Sequence, residues 1–359
     1  MKILCVIDSL GSGGAQKQLV ELAKGFHEVG HDVSFLTYHQ FDFFKEELLQ
    51  HNINIHCIVE PNYLKRLWKM RSFIRKGNYD AVLSFLEASS FICELAGLPF
   101  RKWKLIVGER SANPNIKESF KLKFYRWFHL LSDFVVSNSN TNRDIVKSVN
   151  PLLPQKKLKV IYNLVDIGNN SDHIQPIPKQ ENEKLVLLVA AGQREVKNLS
   201  GLIEAVNTLT EAERAKLSIH WYGDEADSSY SKAVVKIQNY KLEGNFFFYK
   251  ATQDIKSKML AADLIGLFSF YEGFPNTICE AMSLGKPVIC SSVSDVPLII
   301  NNDRYLFNPN KTDEIAKVLS YVLKLNSVEL ETIGKTNKEI ANSLFNKEQI
   351  VSQYLNLMQ

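Results

Sequence analysis

The chain has 359 residues, a hydrophobic fraction of 45%, a charged fraction of 23% and a formal net charge of +4. That length is too great for one ordinary core and suits two domains, and the composition excludes a disordered or fibrous chain. Five cysteines without a CxxC pair argue against a disulfide framework or a zinc site, and for a reducing compartment. No stretch approaches the ~18 to 20 apolar residues of a spanning helix. Lys2 is followed by only five apolar residues before Asp8, so a cytoplasmic protein without a signal peptide is expected.

Strand and helix patterns alternate from the start. A buried strand over 2–7 meets the loop Asp8-Ser9-Leu10-Gly11-Ser12-Gly13-Gly14. The helix after it carries Leu19, Leu22, Ala23 and Phe26 on one face and ends at Gly30, a left-handed cap. Further strands are expected over 31–37, 53–59, 81–85, 105–107 and 134–137, with helical patterns between them. Such alternation predicts a doubly wound α/β domain, here over residues 1–166. Residues 168–184 hold two prolines, several acids and amides and almost nothing apolar, which places a linker at 167–184. A second α/β run follows over 185–345, with strands over 185–190, 217–222, 246–249, 264–268 and 287–290 and a helix over 199–209. The last segment, 346–359, has helical spacing in Ile350, Tyr354, Leu355 and Met358 and is expected to cross back to the first domain.

The positive charge is unevenly placed. Residues 64–76 hold six basic side chains and no acid, interleaved with Leu64, Leu67, Trp68, Met70, Phe73 and Ile74. A second stretch sets Lys117, Lys121, Lys123 and Arg126 among Phe120, Phe124, Tyr125, Trp127 and Phe128. Basic helices with large aromatic residues suit the interface of an anionic membrane. Two ordinary amphipathic helices with their apolar stripes on the core fit the pattern equally well. Nucleic acid is not an expected partner, because no recognition motif accompanies the charge.

The densest chemistry lies at Phe270-Tyr271-Glu272-Gly273-Phe274-Pro275-Asn276-Thr277-Ile278-Cys279-Glu280, where two carboxylates are separated by seven residues. An apolar strand runs into the Gly-Phe-Pro-Asn turn and a helix over 276–284 runs out of it. One carboxylate thus stands on the lip of a parallel sheet and the other in the first helical turns. The helix start offers N–H groups and a positive dipole end, so the site suits a ligand with both phosphate and hydroxyls. Arg194 and Lys197 follow the first strand of the second domain, and a guanidinium fork with an ammonium point charge suits a diphosphate. Carboxylates suit vicinal diols. The bland readings are a helix-end carboxylate for Glu272, an exposed helix acid for Glu280 and a solvated charge pair for Arg194 and Lys197.

Gly13 and Gly14 remove side chains and let the loop backbone approach a phosphate-bearing ligand. A dinucleotide fingerprint is the rival reading, but Gln16 stands where its third glycine belongs. The second strand also ends Leu36-Thr37-Tyr38-His39, without the acid that would hold a ribose. The loop Asp224-Glu225-Ala226-Asp227 contains no Asp-x-Asp motif and reads as solvated surface.

These features together resemble the family-4 retaining glycosyltransferases of the GT-B fold, over nearly the whole chain. Four landmarks carry the resemblance: Gly13-Gly14-Ala15-Gln16 with its helix; Val160-Ile161-Tyr162-Asn163; Arg194-Glu195-Val196-Lys197-Asn198; and Glu272-Gly273-Phe274-Pro275-Asn276 through Glu280. The last is the most specific, being followed by Ala281-Met282 and Gly285-Lys286-Pro287-Val288. The resemblance implies two Rossmann-like domains facing across a cleft, residues 1–166 on the acceptor side and 185–345 binding the donor. It implies transfer of a hexose or N-acetylhexosamine from a nucleoside diphosphate sugar, with retention of configuration. Arg194, Lys197 and Glu272 are then the catalytic residues. Gly13, Gly14, Asn163, Gly273, Phe274, Pro275, Asn276, Thr277 and Glu280 surround the donor, with Glu272 toward the sugar and Glu280 on the ribose.

Glu109 and Arg110 are acceptor-side candidates, and an ordinary loop ion pair fits them equally well. Charge growing on the leaving diphosphate falls to the two cations and the helix end, so no cofactor and no metal are expected. The expected co-substrate is a nucleotide-sugar, a UDP-sugar first. The expected acceptor is a glycan or a polyprenyl-diphosphate-linked glycan, read at the inner face of the plasma membrane.

Three stretches depart from the family pattern. Gly192-Gln193-Arg194 stands where many relatives have a Gly-Arg pair. Gly108-Glu109-Arg110-Ser111-Ala112-Asn113-Pro114 stands where many have a histidine, and Ser294-Asp295-Val296-Pro297-Leu298 where many have glycines and an acid. A nucleotide-sugar epimerase of the same fold and a non-catalytic carbohydrate-binding protein are the alternatives.

Overall fold

The computed structural model describes residues 1–165 and 184–359. The expected linker, 167–184, lies outside the described residues except for Lys184. The chain divides into two compact units, Met1–Leu164 with Phe345–Gln359, and Val165–Leu344.

Among the described residues, the first unit is built on a 7-stranded parallel sheet of β1 (Lys2–Val6), β2 (Asp32–Thr37), β3 (Asn54–Cys57), β4 (Ala81–Phe85), β5 (Lys104–Glu109), β6 (Phe134–Ser137) and β7 (Leu158–Val160). Their order is β3-β2-β1-β4-β5-β6-β7. The central strands read as unbroken apolar runs because both faces are covered. Side-chain alternation divides β1 between two cores. Ile3 and Cys5 join Leu19, Leu22 and Phe26 of the helix Gly14–Glu28. Leu4 and Val6 join Met70, Ile74 and Ile92 on the other face. Gly30 follows the Gly14–Glu28 helix at φ +87, a left-handed turn that costs glycine little.

The helix Lys347–Met358 packs on the helix Gly14–Glu28. Its Ile350, Val351, Tyr354 and Met358 are buried in the first unit's core. Gly25 permits the close approach, since a Cβ there would stand 2.5 Å from Val351 Cγ2.

The second unit carries a 6-stranded parallel sheet of β8 (Leu185–Ala190), β9 (Leu217–Tyr222), β10 (Phe246–Tyr249), β11 (Leu264–Leu267), β12 (Val288–Ser291) and β13 (Leu306–Phe307). Its order, β10-β9-β8-β11-β12-β13, again reverses beside the first strand. The helices Leu199–Thr208, Ser229–Asn239 and Thr312–Val322 close one face over Leu187, Val189, Ile219 and Trp221. In a doubly wound sheet, connections leave in opposite directions at the reversal and open a crevice beyond the carboxyl ends of the two strands. Here those strands are β8 and β11, paired through Leu187 with Leu264 and Leu188 with Ile265.

Candidate active site

The loops after β8 and β11 meet beyond that reversal. Past Ala190 the chain makes a 3-10 turn over Glu195–Lys197 and enters the next helix through Asn198. Asn198 is left-handed at φ +56, and its side chain caps Gly201 N at 3.1 Å. Past β11 the backbone N–H of Phe270 donates to Val196 O at 2.9 Å, tying one loop to the other. Lys197 Nζ then lies 2.6 Å from Glu272 Oε1, and the Ser269 hydroxyl donates to the same oxygen at 2.6 Å. Thr277, in the first turn of the helix Asn276–Ser283, donates to Ala190 O at 3.3 Å.

Beside these residues lies a cavity of about 560 Å³ whose wall includes Gly192, Arg194, Lys197, Tyr222, Asp224 and Thr252. Gln193 is buried, with its N–H on Asp224 O and its side-chain amide on Gly223 O, both at 2.9 Å. The inward turn of Gln193 puts Arg194 on the exposed side, facing the cavity. The Gly-Gln-Arg departure therefore has a structural reason. Gly223 is needed where it stands, because a Cβ there would be 2.0 Å from Ala191 O.

The Asp224-Glu225-Ala226-Asp227 loop is exposed at all four residues, as expected, and its carboxylates also bond to neighbouring turns. Asp224 Oδ1 accepts from Ala251 N at 3.1 Å and Asp227 Oδ2 from Glu195 N at 2.9 Å, so both carboxylates brace the turns around the cavity. Sequence reasoning missed Ser269, Gly223, Asp224 and Asp227. Each is a common loop residue whose role shows only in its partner.

Phe274 and Pro275 are buried and anchor the turn, while Gly273 O accepts from the Ser294 hydroxyl at 3.2 Å. Glu280 is half-buried within the helix Asn276–Ser283. The N–H of Asn276 donates to Phe274 O, and those of Ile278 and Cys279 donate to Pro275 O. With those groups engaged inside the turn, this helix end contributes its dipole more than its N–H donors.

Gly13, Gly14 and Asn163 belong to the first unit. A Cβ at Gly13 would lie 2.2 Å from Gln16 Oε1, so a side chain there would have to displace the Gln16 amide. Gln16 in turn donates to Asp8 Oδ1 at 3.0 Å. Gln18 exchanges two hydrogen bonds with the backbone of Leu164, at 2.8 and 2.7 Å, which holds the Val160–Asn163 segment in place. Arg110 and Asn163 are brought together: Arg110 Nη1 donates to Asn163 Oδ1 at 2.9 Å. The same guanidinium lies 3.8 Å over the Phe85 ring and donates to the Tyr354 hydroxyl.

Of the two readings of Glu109 the structure shows an ion pair, though a buried one rather than one in a surface loop. Its carboxylate points inward, with Oε2 2.7 Å from Arg126 and Oε1 2.9 Å from His129. Arg126, expected on a basic surface, is fully buried and also reaches Glu87 at 3.2 Å. His129 completes the cluster at 2.7 Å from Glu94. Burial alone would raise Glu109 and lower His129. The surrounding opposite charges prevail and hold Glu109 at about 2 and His129 at about 9.

The two basic aromatic helices, Tyr63–Lys76 and Phe120–Trp127, both pack on Glu87–Ala96. Only Met70 and Ile74 of the first are buried. Trp68 is 68% exposed, Phe120 71% and Trp127 46%. Phe91, Phe120, Phe124, Tyr125, Trp127 and Phe128 form one cluster of ring contacts. Tyr63 lies near enough to Tyr125 that, after burial, this neighbour helps raise its hydroxyl. Among the described residues, no helix is long and apolar enough to cross a membrane, and no group of three or more His, Cys, Asp or Glu is placed to hold a metal ion.

The family model for glycosyl transferases group 1 matches residues 169–340, and that for glycosyltransferase family 4 matches residues 12–169. The N-acetyl-alpha-D-glucosaminyl L-malate synthase of Bacillus anthracis is 24% identical over 95% of the chain and 92% of its own length. The GalNAc-alpha-(1->4)-GalNAc-alpha-(1->3)-diNAcBac-PP-undecaprenol alpha-1,4-N-acetyl-D-galactosaminyltransferase of Campylobacter jejuni is 23% identical over 100% of the chain and 98% of its own length. Among solved structures, Anabaena Alr3699/HepE in complex with UDP shares the fold, with a TM-score of 0.84 at 20% identity over 99% of both chains.

Proposed function

The chain belongs to the family-4 glycosyltransferases of the GT-B fold, and we propose that it moves a hexose or N-acetylhexosamine from a UDP-sugar to a lipid-linked glycan with retention of configuration. The observation that carries this reading is the meeting of Lys197 and Glu272, with Arg194, where the strand order reverses. Cations and a carboxylate side by side suit the two chemistries of a nucleotide-sugar, phosphate and hydroxyl. The structural neighbour in complex with UDP favours that nucleotide. The Campylobacter relative, named for an undecaprenol-diphosphate acceptor, favours a lipid carrier. Exposed Trp68, Phe120 and Trp127 among lysines support a peripheral seat on an anionic membrane for reaching it.

In this mechanism Arg194 and Lys197 hold the diphosphate, and the charge that grows on its bridging oxygen is met by groups already in place. The acceptor hydroxyl forms its bond to the anomeric carbon on the face from which the diphosphate departs. Its proton passes to the departing phosphate oxygen. Glu272 orients the sugar hydroxyls and Glu280 the ribose. The two cations take the part a divalent ion plays elsewhere, so a chelator is expected to leave the rate unchanged.

Incubation with labelled UDP-sugars and a polyprenyl-diphosphate-linked glycan tests the reading, with the anomeric configuration of the product read by NMR. Glu272→Ala is expected to abolish transfer with an unaltered fold. Unchanged turnover in that variant would sink the site. An epimerised free donor would turn the assignment to an epimerase.

A further inference from the structure

We propose that the Lys197–Glu272 ion pair lets the site distinguish a sugar-bearing donor from the nucleoside diphosphate left after transfer, and thereby favours product release. The inference rests on the assignment of Lys197 to the donor diphosphate. Lys197 Nζ is 2.6 Å from Glu272 Oε1, and the two side chains are only 25% and 15% exposed. The hydroxyl of Ser269, itself fully buried, holds the same carboxylate oxygen. The carboxylate is thus seated by a rigid donor on the strand side and a flexible ammonium on the other. Ser269 acts here as a positioning residue.

A diphosphate that engages Lys197 must draw the ammonium away from Glu272. Two anionic groups then compete for one cation, in a partly desolvated place where their repulsion is not fully screened. A sugar on the diphosphate changes the balance. Its hydroxyls donate to Glu272 and replace the ammonium that the carboxylate has given up. Once the sugar has moved to the acceptor, that replacement is gone. Glu272 then reclaims Lys197, whose long stem and rotatable donors allow the exchange, and the diphosphate is weakened on departure. Arg194 stands exposed at the cavity, outside this exchange.

Calorimetric titration of UDP, and of the UDP-sugar giving the largest thermal shift, separates this from a brace that merely joins two loops. Glu272→Gln is expected to bind UDP about two- to fivefold more tightly than the unsubstituted protein, the scale of a partly exposed ion pair. It should bind the UDP-sugar no more tightly, so the preference for the sugar-bearing donor collapses. Glu272→Ala should shift UDP affinity the same way and carries the test if Glu272→Gln does not fold. Glu272→Asp, which keeps the charge, should stay close to the unsubstituted protein. Unchanged or weaker UDP binding in both uncharged variants overturns the proposal, as does an equal gain for UDP and the UDP-sugar. If the unsubstituted protein binds none of UDP, GDP and dTDP, the donor site itself is wrong and the inference falls with it.

Discussion

Arg194 and Lys197 bear on the diphosphate in different ways, the first as an exposed fork and the second as an ammonium shared with Glu272. Removing a charge that acts on the developing leaving group costs on the order of 10² to 10³ in rate. Lys197→Ala is expected to lose about that much in kcat/KM, read by release of UDP. Arg194→Lys is expected to recover only part of what Arg194→Ala loses, because an ammonium cannot make the paired contacts of a guanidinium. Equal activity of the lysine variant and the parent would show that Arg194 acts as a point charge only. These residues were legible in the chain because two basic side chains follow closely on an apolar strand and its glycine. Ser269 and Gly223 were not. A serine or glycine in a loop gains its meaning from a carboxylate 2.6 Å away or from a carbonyl that would strike a Cβ.

Whole elements are tied together by buried charge in the first unit. Arg126 brings the helix Phe120–Trp127 to the end of β5 through Glu109 and to the start of Glu87–Ala96 through Glu87. Burial opposes the imidazolium of His129, yet Glu94 and Glu109 raise it from 6.5 to about 9. Its stabilising contribution is complete below pH 6.5 and is lost as pH rises through 9. Glu109, lowered from 4.5 to about 2, contributes fully above pH 4.5 and loses its contribution as pH falls through 2. Thermal unfolding should therefore show a midpoint that declines on the alkaline side between pH 6.5 and 9. His129→Gln should flatten that decline. A slope unchanged in the variant would show that His129 does not carry it. Periodicity could not reveal this cluster, since a cation on a helix face is ordinarily solvated and its partners come from another helix and a strand. The edge strands β7 and β13 escaped notice for a different reason: three and two residues are too few to establish a period.

At the scale of the whole molecule, the exposed aromatic and basic side chains of the helices Tyr63–Lys76 and Phe120–Trp127 are the surface that bears on the proposed membrane seat. Lys65, Lys117 and Lys121 are exposed around Trp68, Phe120 and Trp127, while Lys69 is paired with Glu60. The protein is expected to sediment with phosphatidylglycerol vesicles at low salt and not with phosphatidylcholine alone. About 0.5 M salt should release it, because screening then reaches within a few ångströms. Trp68→Glu combined with Phe120→Glu should leave it in the supernatant, and at 68% and 71% exposed both positions can change without disturbing the core. Failure to sediment at low salt would remove the membrane seat and leave the transferase assignment standing.

By itself the sequence determined the doubly wound α/β character of both units, because buried parallel strands must be continuously apolar and the helices between them must carry a stripe. It also determined which charged groups stand at strand ends, and through them the family. Tertiary structure alone decided which of those groups meet. Lys197 and Glu272 are 75 residues apart and touch only because β8 and β11 are neighbours in the sheet. Glu109 turns to Arg126 and His129 while Arg110 turns to the buried Asn163 and Tyr354, because of what packs around the end of β5. A local period records how a segment is covered, but not which segment covers it. Strand order and register supply that pairing, and with it the site.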